Sequence, residues 1–526
     1  MRARRLVVAV TVVIAVTLPL SSVTMAVTVA GRDTSGVSLP ATVVPANSTC
    51  SHAHPAKRQE QCDASLLPTA YPMTAMGYAD FGGGPKAHVH SGIGVDRLRG
   101  PGGPAAHQFT LTAAMGTQDI GGAPRAVLTF NGTTPGPTLT VTQGDLVEVR
   151  LVNKDVKKGV TIHWHGVDVP AGEDGVAGVT QDAVLPGSDF VYRFVVPDAG
   201  TYWYHSHQDS VREVGMGLLG ALIVLPRDPA TSQWAGAATD AVALVHTYGT
   251  TTTVNGRIGT TYVTASEGTT ARVRFINGDN GPVLVTASVP FRVAAIDGTD
   301  VPGATDLVDT YVDVPAGGRA DLLIAVPPSS ARVGVLGGPG LVIGPIDQPV
   351  AEVPAHQRFD ALAYGASGGS AAAQATIGRP TRDFAYRIGS RTGYLDGRPG
   401  VWFTINAGII PTVPMFVAHR GDVLRFRIVN TTAVVHPMHL HGHHALVVAR
   451  NGVAATGAPW WIDSLQVDPG QSYDIVLVAD NPGVWMFHCH NLPHARTGLM
   501  THLMYDGVTT PFRIGRVNDR LTNEPE

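Results

Sequence analysis

The chain has 526 residues and a formal net charge of −4, and only 15% of its residues are charged. This balance excludes a strongly basic nucleic-acid-binding protein, so no nucleic-acid partner is expected. The 61 glycines and 38 prolines, with Val- and Thr-rich runs between them, favour many short strands over long helices. A chain of this length can hold three domains of roughly 150 residues each.

Residues 1–30 have the pattern of an export signal. The sequence begins M-R-A-R-R and continues with an apolar run from Leu6 to Leu20, which is the layout of a secretory signal peptide. Small residues that end at Ala30 suit cleavage there. Because residues 6–30 are also long enough to span a bilayer, an uncleaved anchor that attaches the protein to a membrane is the alternative. Either way, the sequence predicts an exported protein that is secreted or held in the cell envelope.

Residues 31–105 are predicted to form an irregular N-terminal extension, because they are rich in Gly, Pro, Ala and His and lack a strong periodicity. The extension contains Cys50 and Cys62. Exported proteins usually pair their cysteines, so we expect a disulfide between these two, and two free thiols are the alternative. The third cysteine, Cys489, lies far away among histidines.

Beyond residue 105, the sequence contains three similar units. Residues 131–153 and 413–430 share a G-D turn and alternating strands, and each stretch is followed by an H-x-H-G motif. Residues 254–277 repeat the strands and turns without an H-x-H pair. In V-E-V-R-L-V-N, residues 147–153, side chains alternate between two faces, as in a strand with one buried side. Seven or eight such strands per unit predict an all-β protein made of Greek-key β-sandwiches.

The units suggest domains at residues 106–228, 229–355 and 380–526, with no metal ligands in the middle one. The outer two contain four H-x-H pairs, namely His163/His165, His205/His207, His439/His441 and His488/His490. On a strand, residues i and i+2 share a face, so each pair can present two imidazoles to one place. Imidazole suits copper, zinc, iron or nickel. Four pairs at matching places in two units predict a shared metal site.

Cys489 lies between two of these histidines, so its side chain should point to the opposite face of the strand. His494 is close enough in sequence to join it, and His436 is offset from the H-L-H pair and can be a third partner. Two histidines and one thiolate describe a blue-copper electron-transfer centre. We therefore predict that a metal, rather than a disulfide, holds this sulfur as thiolate.

The motifs H-W-H-G, H-S-H, H-P-M-H-L-H-G-H and H-C-H-N-L-P-H resemble those of the multicopper oxidases, a family that includes laccases and bacterial copper-tolerance oxidases. The resemblance extends from about residue 106 onward. It implies three consecutive cupredoxin-like Greek-key domains and four copper ions: one type 1, one type 2 and two type 3. It also implies that four one-electron oxidations of a small reductant are coupled to reduction of dioxygen to water.

The same resemblance assigns the copper ligands. His436, Cys489 and His494 correspond to the type 1 ligands, and His163 and His439 to those of type 2. The type 3 pair corresponds to the remaining motif histidines, His165, His205, His207, His441, His488 and His490.

By resemblance, Leu499 occupies the axial position of the type 1 site, with Met500 as the alternative if the segment bulges. Asp174 lies where the family places a carboxylate beside the type 2 water, and is a candidate proton relay. Asp463 lies where relatives contact substrate, and could accept a phenol proton or bind a metal ion. A turn-capping role is the alternative. Many bacterial relatives carry a glutamate after the last type 1 histidine, but this chain has Ala495 there.

The leading functional hypothesis is a laccase-like oxidase of phenolic or similar reductants that uses dioxygen. The nearest alternative is a metallo-oxidase whose substrate is Cu(I), Fe(II) or Mn(II) in metal tolerance. A hypothesis of another class is a non-catalytic copper-binding envelope protein. That hypothesis predicts missing ligands, and all ten motif histidines and the cysteine are present.

Overall fold

The computed structural model describes residues 71–72, 92–231, 236–395, 398–409, 413–517 and 521–525. The predicted export signal and the predicted Cys50–Cys62 disulfide lie outside these residues. In the described part of the chain, no helix has both the length and the apolar character needed to cross a bilayer.

The described part of the chain is built from strands, which confirms the predicted all-β class. Three pairs of sheets follow one another along the sequence. We call them the first, second and third sandwich, because the buried residues of each pair form a core between its two sheets.

Within each sheet, the spatial order of the strands differs from their order in the sequence. One sheet of the first sandwich contains, in spatial order, Pro124–Phe130, His107–Asp119, Leu146–Asn153 and Asp189–Val195. Its other sheet contains Leu139–Thr142, Leu219–Leu225, Gly200–His205 and His163–His165. One sheet of the second sandwich contains Thr251–Val254, Thr239–Tyr248, Thr270–Asn277, Arg319–Ala325, Phe291–Ile296 and Thr299–Asp300. Its other sheet contains Thr260–Thr264, Gly340–Gly344, Ala331–Val335, Val283–Ala287, Thr310–Val314 and Gln357–Arg358. One sheet of the third sandwich contains Arg398–Ile405, Arg382–Leu395, Val423–Asn430, Ser472–Val478, Ala445–Arg450 and Val453–Ala454, and Trp461–Ile462 pairs with Ala445–Arg450. Its other sheet contains Phe416–Ala418, Met500–Tyr505, Val484–Cys489, His436–Leu440 and Ser464–Val467.

Helices and peripheral strands are short. The α-helices are Ser210–Glu213, Gly369–Ile377 and Leu492–Arg496, and the 3₁₀ turns are Val95–Arg97, Ala171–Glu173 and Pro229–Thr231. Small sheets join Ile93–Gly94 to Val508–Thr509, and Tyr71–Pro72 to Arg513–Val517 and Leu521–Asn523.

The end of the predicted extension packs against the rest of the protein. Ile93 pairs with Val508, and Val95 is fully buried in the core of the third sandwich. Arg99 forms an ion pair with the buried Glu173. Apolar burial and this ion pair hold residues 93–99, which contain only a two-residue strand and one 3₁₀ turn.

Equivalent strands of the three sandwiches differ in how they are buried. Leu146–Asn153 and Val423–Asn430 alternate between buried and more exposed residues, as their sequences predict. In the second sandwich, Thr270–Asn277 is buried on both faces after its first residue. Its outward-facing arginines, Arg272 and Arg274, are buried because this face packs against Thr201 of the first sandwich.

A buried ion pair of the second sandwich, Arg272–Asp321, is hydrogen-bonded to the first sandwich. Asp321, which is 1% exposed, accepts hydrogen bonds from Arg272 (2.5 Å) and from the Thr201 hydroxyl (2.9 Å). Removing one partner of a buried pair leaves the other charge uncompensated in a low-dielectric interior.

We expect Asp321→Ala to lower the free energy of unfolding by about 3–5 kcal/mol, measured by chemical denaturation. The control is Asp306→Ala, which breaks the Arg292–Asp306 ion pair on the surface of the same sandwich, where the side chains are 48% and 60% exposed. Exposed pairs contribute little. Equal denaturation midpoints for the two variants would contradict the conclusion that the buried contacts of Asp321 stabilise the fold.

Candidate functional site

The four H-x-H pairs converge on one buried place between the first and third sandwiches. His163–His165 pairs antiparallel with Gly200–His205, so that His163 lies opposite His205. In the third sandwich, His439 lies opposite His488 in the same way. All eight histidines are at most 1% exposed. The predicted convergence of these imidazoles is therefore present in the structure.

The eight imidazoles divide into groups whose ring nitrogens lie within 4.8 Å of one another. The groups are His163, His165 and His439; His165, His205 and His490; and His207, His441 and His488. His165 belongs to the first two groups, and His163 of the first and His441 of the third share a further group with Asp174. The groups therefore form one continuous cluster, which we call the histidine cluster.

Ring nitrogens in the histidine cluster face one another. The Nε2 atoms of His163 and His439 are 3.3 Å apart, and those of His441 and His488 are 3.1 Å apart. The Nδ1 atoms of all four rings lie within hydrogen-bond distance of carbonyl or carboxylate oxygens. An Nδ1–H that donates to such an oxygen leaves a lone pair on Nε2, so each facing pair places two lone pairs together.

Burial favours the neutral form of seven of these imidazoles. It lowers the pKa of His439 to about 4 and that of His488 to about 3. Burial and neighbouring imidazoles lower the pKa of the other shifted rings well below the ordinary value, namely His165, His205, His207, His441 and His490. Neutral imidazoles whose ring nitrogens lie this close together can hold a metal ion. The donor set therefore fits bound metal ions, and imidazole suits copper.

Cys489 faces a second, separate group. Its Sγ atom lies 3.7 Å from His436 Nδ1 and 3.8 Å from His494 Nδ1. The three side chains form a candidate metal site with one thiolate and two imidazoles. His488 and His490, the neighbours of Cys489 along the strand, belong to the histidine cluster. Period-two alternation thus places one strand against both groups.

The two imidazoles beside Cys489 differ in exposure. His436 is fully buried, and its Nε2 lies 2.8 Å from the Thr432 hydroxyl. His494 is partly exposed. The Phe403 ring packs against both, with ring centroids 4.9 Å from His436 and 4.7 Å from His494. Of the two rings, only that of His494 reaches the surface.

Strand register separates Leu499 from Met500. Met500 lies directly opposite His488, and residues opposite each other on antiparallel strands point to the same face. Met500 therefore faces the side of His488, and Leu499 faces the side of Cys489. Leu499 is fully buried, and its carbonyl accepts a hydrogen bond from the Cys489 amide. This register favours Leu499 for the axial position.

Asp174 contacts the histidine cluster directly. Its carboxylate lies 3.0 Å from His441 Nδ1 and 3.1 Å from His163 Nδ1, and its carbonyl oxygen lies 3.0 Å from His163 Nδ1. The following residue, Gly175, has a φ of +74°, and a Cβ there would lie 1.8 Å from the Ile162 carbonyl oxygen. Only glycine allows the approach that brings Asp174 to both rings.

Asp463 does not lie at a substrate-accessible surface, which corrects the expectation that it contacts substrate. It is 1% exposed, and Oδ1 lies 3.1 Å from His165 Nε2. Both carboxylate oxygens accept hydrogen bonds from Arg319. Burial opposes ionisation of Asp463, but the Arg319 guanidinium and the adjacent histidines hold its pKa well below the ordinary range. The sequence places Asp463 in the correct loop but does not reveal the direction of its side chain.

Residues that the sequence analysis missed lie around both groups. Ser464 Oγ is 3.1 Å from His165 Nε2, and Thr432 and Phe403 contact the histidines beside Cys489. Arg319 comes from the second sandwich, which has no predicted ligand. In the sequence, its role is indicated only by the presence of an arginine at the start of a strand in the unit without ligands.

Comparisons with known proteins point to one family. Multicopper oxidase family models match residues 112–229 and 390–507. A multicopper oxidase from Mycobacterium tuberculosis, MmcO, is 28% identical over 455 residues, covering 75% of this chain and 86% of the relative. Laccase-2 of Botryotinia fuckeliana is 28% identical over 484 residues, covering 74% of this chain and 81% of the relative.

Solved structures share the fold. The crystal structure of a multi-copper oxidase from Pseudomonas thermotolerans has a TM-score of 0.62 at 26% identity and covers 76% of this chain and 100% of its own. The structure of Fet3p, a multicopper oxidase that functions in iron import, has a TM-score of 0.63 at 20% identity and covers 76% of this chain and 90% of its own.

The Thr432 hydroxyl is the outer support of His436, and removal of such a partner typically weakens metal binding by about 10–100-fold. We expect Thr432→Val to lower copper affinity by this factor at the cysteine site alone, measured by competition with a chelator while the thiolate–copper absorption is followed. The neighbouring Thr431 donates to the Ile388 carbonyl instead, so Thr431→Val is the matched control. An equal loss in both variants would mean that Thr432 has no specific role.

Proposed function

Because the chain belongs to the multicopper oxidase family, we propose that it is a laccase-like enzyme whose reductants are phenols or similar organic molecules. The enzyme is a copper-dependent oxidoreductase with dioxygen as the electron acceptor. One observation carries the proposal: a single strand presents Cys489 to one candidate metal group and His488 and His490 to another.

Four copper ions are the family's cofactor, and the donor groups of this chain fit them. We assign His436, Cys489 and His494 to the type 1 ion, and His163 and His439 to the type 2 ion. The type 3 pair takes two groups of three, His165, His205, His490 and His207, His441, His488. When bound, the copper ions supply one-electron redox chemistry and the site at which dioxygen is reduced.

The protein connects the two metal groups and places a carboxylate beside one of them. Cys489 is covalently joined to His488 and His490 through one peptide bond each, so the strand itself links the two groups. Reduction of dioxygen to water also consumes protons. Asp174 is our candidate for proton exchange, because its carboxylate is buried against the ring N–H groups of His163 and His441.

The surroundings of the His494 edge favour organic reductants. Phe403 packs on the His494 ring, and Val434, two residues before His436, is 43% exposed. Among the described residues, no carboxylate forms a hydrogen bond or ion pair with the His436 or His494 ring. A cationic reductant gains from nearby negative charge, whereas a phenol gains from an aromatic, uncharged surface.

We further propose that residues 106–228, 229–355 and 380–526 are the three domains, with the second devoid of ligands, as the three sandwiches suggest. We also propose that the protein is exported, because of its N-terminal sequence.

We expect purified, copper-loaded protein to show the intense visible absorption of a thiolate–copper centre and to consume dioxygen with phenols. Cys489→Ser should remove the absorption and one equivalent of copper and reduce phenol-dependent dioxygen uptake to background, because it removes the only thiolate of that group. His419→Ala, at an exposed histidine 53% accessible to solvent, is the control. The assignment fails if Cys489→Ser keeps the visible band.

Steady-state kinetics test the substrate class. We expect kcat/KM for phenols to exceed that for Cu(I), Fe(II) and Mn(II) in the unmodified enzyme. Val434→Asp should raise kcat/KM for the cations relative to phenols, because it adds a negative charge at an exposed position two residues from His436. Val434→Asn controls for polarity without charge. Faster turnover of a metal ion than of any phenol by the unmodified enzyme would instead identify a metallo-oxidase.

A further inference from the structure

A turn of the second sandwich, residues 315–319, reaches into the histidine cluster. The Gly317 carbonyl accepts a hydrogen bond from the Trp203 indole at 3.1 Å. A Cβ built on Gly317 would lie 2.7 Å from His165 Cε1 and 2.9 Å from His490 Cδ2. Gly317 also has a φ of +80°, which disfavours side chains. The turn therefore packs directly on two of the eight imidazoles, and only glycine fits.

Arg319, at the end of the same turn, connects all three sandwiches. Its side chain is fully buried. The guanidinium donates to Asp463 Oδ1 at 2.6 Å and to Oδ2 at 2.5 Å, and its Nε donates to the Thr201 carbonyl at 3.0 Å. Two parallel hydrogen bonds from the planar guanidinium fix both the position and the rotation of a carboxylate.

A second group holds Asp463 from its backbone side. Asp297 of the second sandwich accepts hydrogen bonds from the amides of Asp463 (3.2 Å) and Ser464 (3.0 Å) through Oδ2. Its Oδ1 accepts from the Arg319 amide at 2.9 Å. The second sandwich thus fixes the main chain and the carboxylate of Asp463 together.

Asp463 in turn orients His165. Its Oδ1 and the Ser464 hydroxyl each lie 3.1 Å from His165 Nε2. A carboxylate can only accept, so this contact assigns the ring proton to Nε2. The other ring nitrogen, Nδ1, is buried without a hydrogen-bond partner in the described structure and is the one left to face a metal.

We infer that the second sandwich, which has no copper ligand of its own, forms one wall of the type 2 and type 3 copper site. Arg319 is a positioning residue that acts through Asp463 on His165, and Gly317 is the contact that shapes the wall. This inference rests on the proposed function, because it concerns how the proposed copper site is held.

The test measures copper retention rather than activity. We expect Arg319→Gln to weaken copper retention in the histidine cluster by about 10–100-fold, as for loss of an outer support of a ligand. Arg319→Lys keeps the charge but loses the paired hydrogen bonds, so it should also weaken retention, though by less. Each variant is dialysed against graded chelator, and total copper and the type 2 Cu(II) paramagnetic resonance spectrum are recorded. The thiolate–copper absorption, which reports the other site, should not change.

Two controls in the same sandwich separate positioning from folding. Arg332 is also buried and donates to the Val335 and Gly338 carbonyls, away from the histidines, so Arg332→Gln should leave both copper signals unchanged. Gly317→Ala should weaken retention as Arg319→Gln does. Gly281→Ala adds a methyl group where no atom lies within 4 Å and should have no effect.

The outcomes are distinct. If the unmodified protein binds no copper in the histidine cluster, the proposed function fails. If it binds copper there and both Arg319 variants retain it equally well with an unchanged type 2 spectrum, the inference about the second sandwich is wrong. If Arg319→Gln does not fold, Arg319→Lys and Gly317→Ala decide by the same criterion.

Discussion

The rest of the structure depends on the close approach of buried imidazole nitrogens. Facing Nε2 atoms lie 3.1 and 3.3 Å apart, and oxygen acceptors beside the Nδ1 atoms favour rings whose N–H groups point outward and whose Nε2 lone pairs are left for metal ions. Burial lowers the pKa of His439, His441 and His488, so their charged forms are disfavoured. The protein core is therefore shaped in advance for metal ions, and the fold supplies the energy that holds the ligands in this arrangement.

Electrostatic balance around the cluster explains its outer contacts. Asp174 and Asp463 are fully enclosed carboxylates, and each accepts from ring N–H groups of the histidines. A buried carboxylate without a counter-charge is costly, and Arg319 provides that counter-charge for Asp463. The ligand-free second sandwich thus has a physical role in the site: its guanidinium and its glycine turn close the side of the cluster that the outer sandwiches leave open.

The strand Val484–Cys489 imposes the spatial relation between the two metal groups. Because successive side chains alternate, Cys489 and its histidine neighbours must face opposite sides. The separation of the groups is then fixed by covalent geometry rather than by flexible loops. Opposite this strand, the register of Met500 with His488 assigns Leu499 to the side of the thiolate.

The sequence by itself determined the all-β class, the repeated units and the four histidine pairs, because these follow from period-two alternation and residue type. It also indicated the trio of His436, Cys489 and His494, through the alternation that turns Cys489 away from its neighbours and through the resemblance of the motifs to a known family. Tertiary structure alone decided the direction of Asp463 and the role of Arg319. In the sequence Asp463 is only an acidic loop residue, and Arg319, 144 positions away, turns its side chain inward. Local sequence specifies which face of a strand a side chain occupies, but not which distant residue will meet it there, because that depends on how separate sandwiches pack.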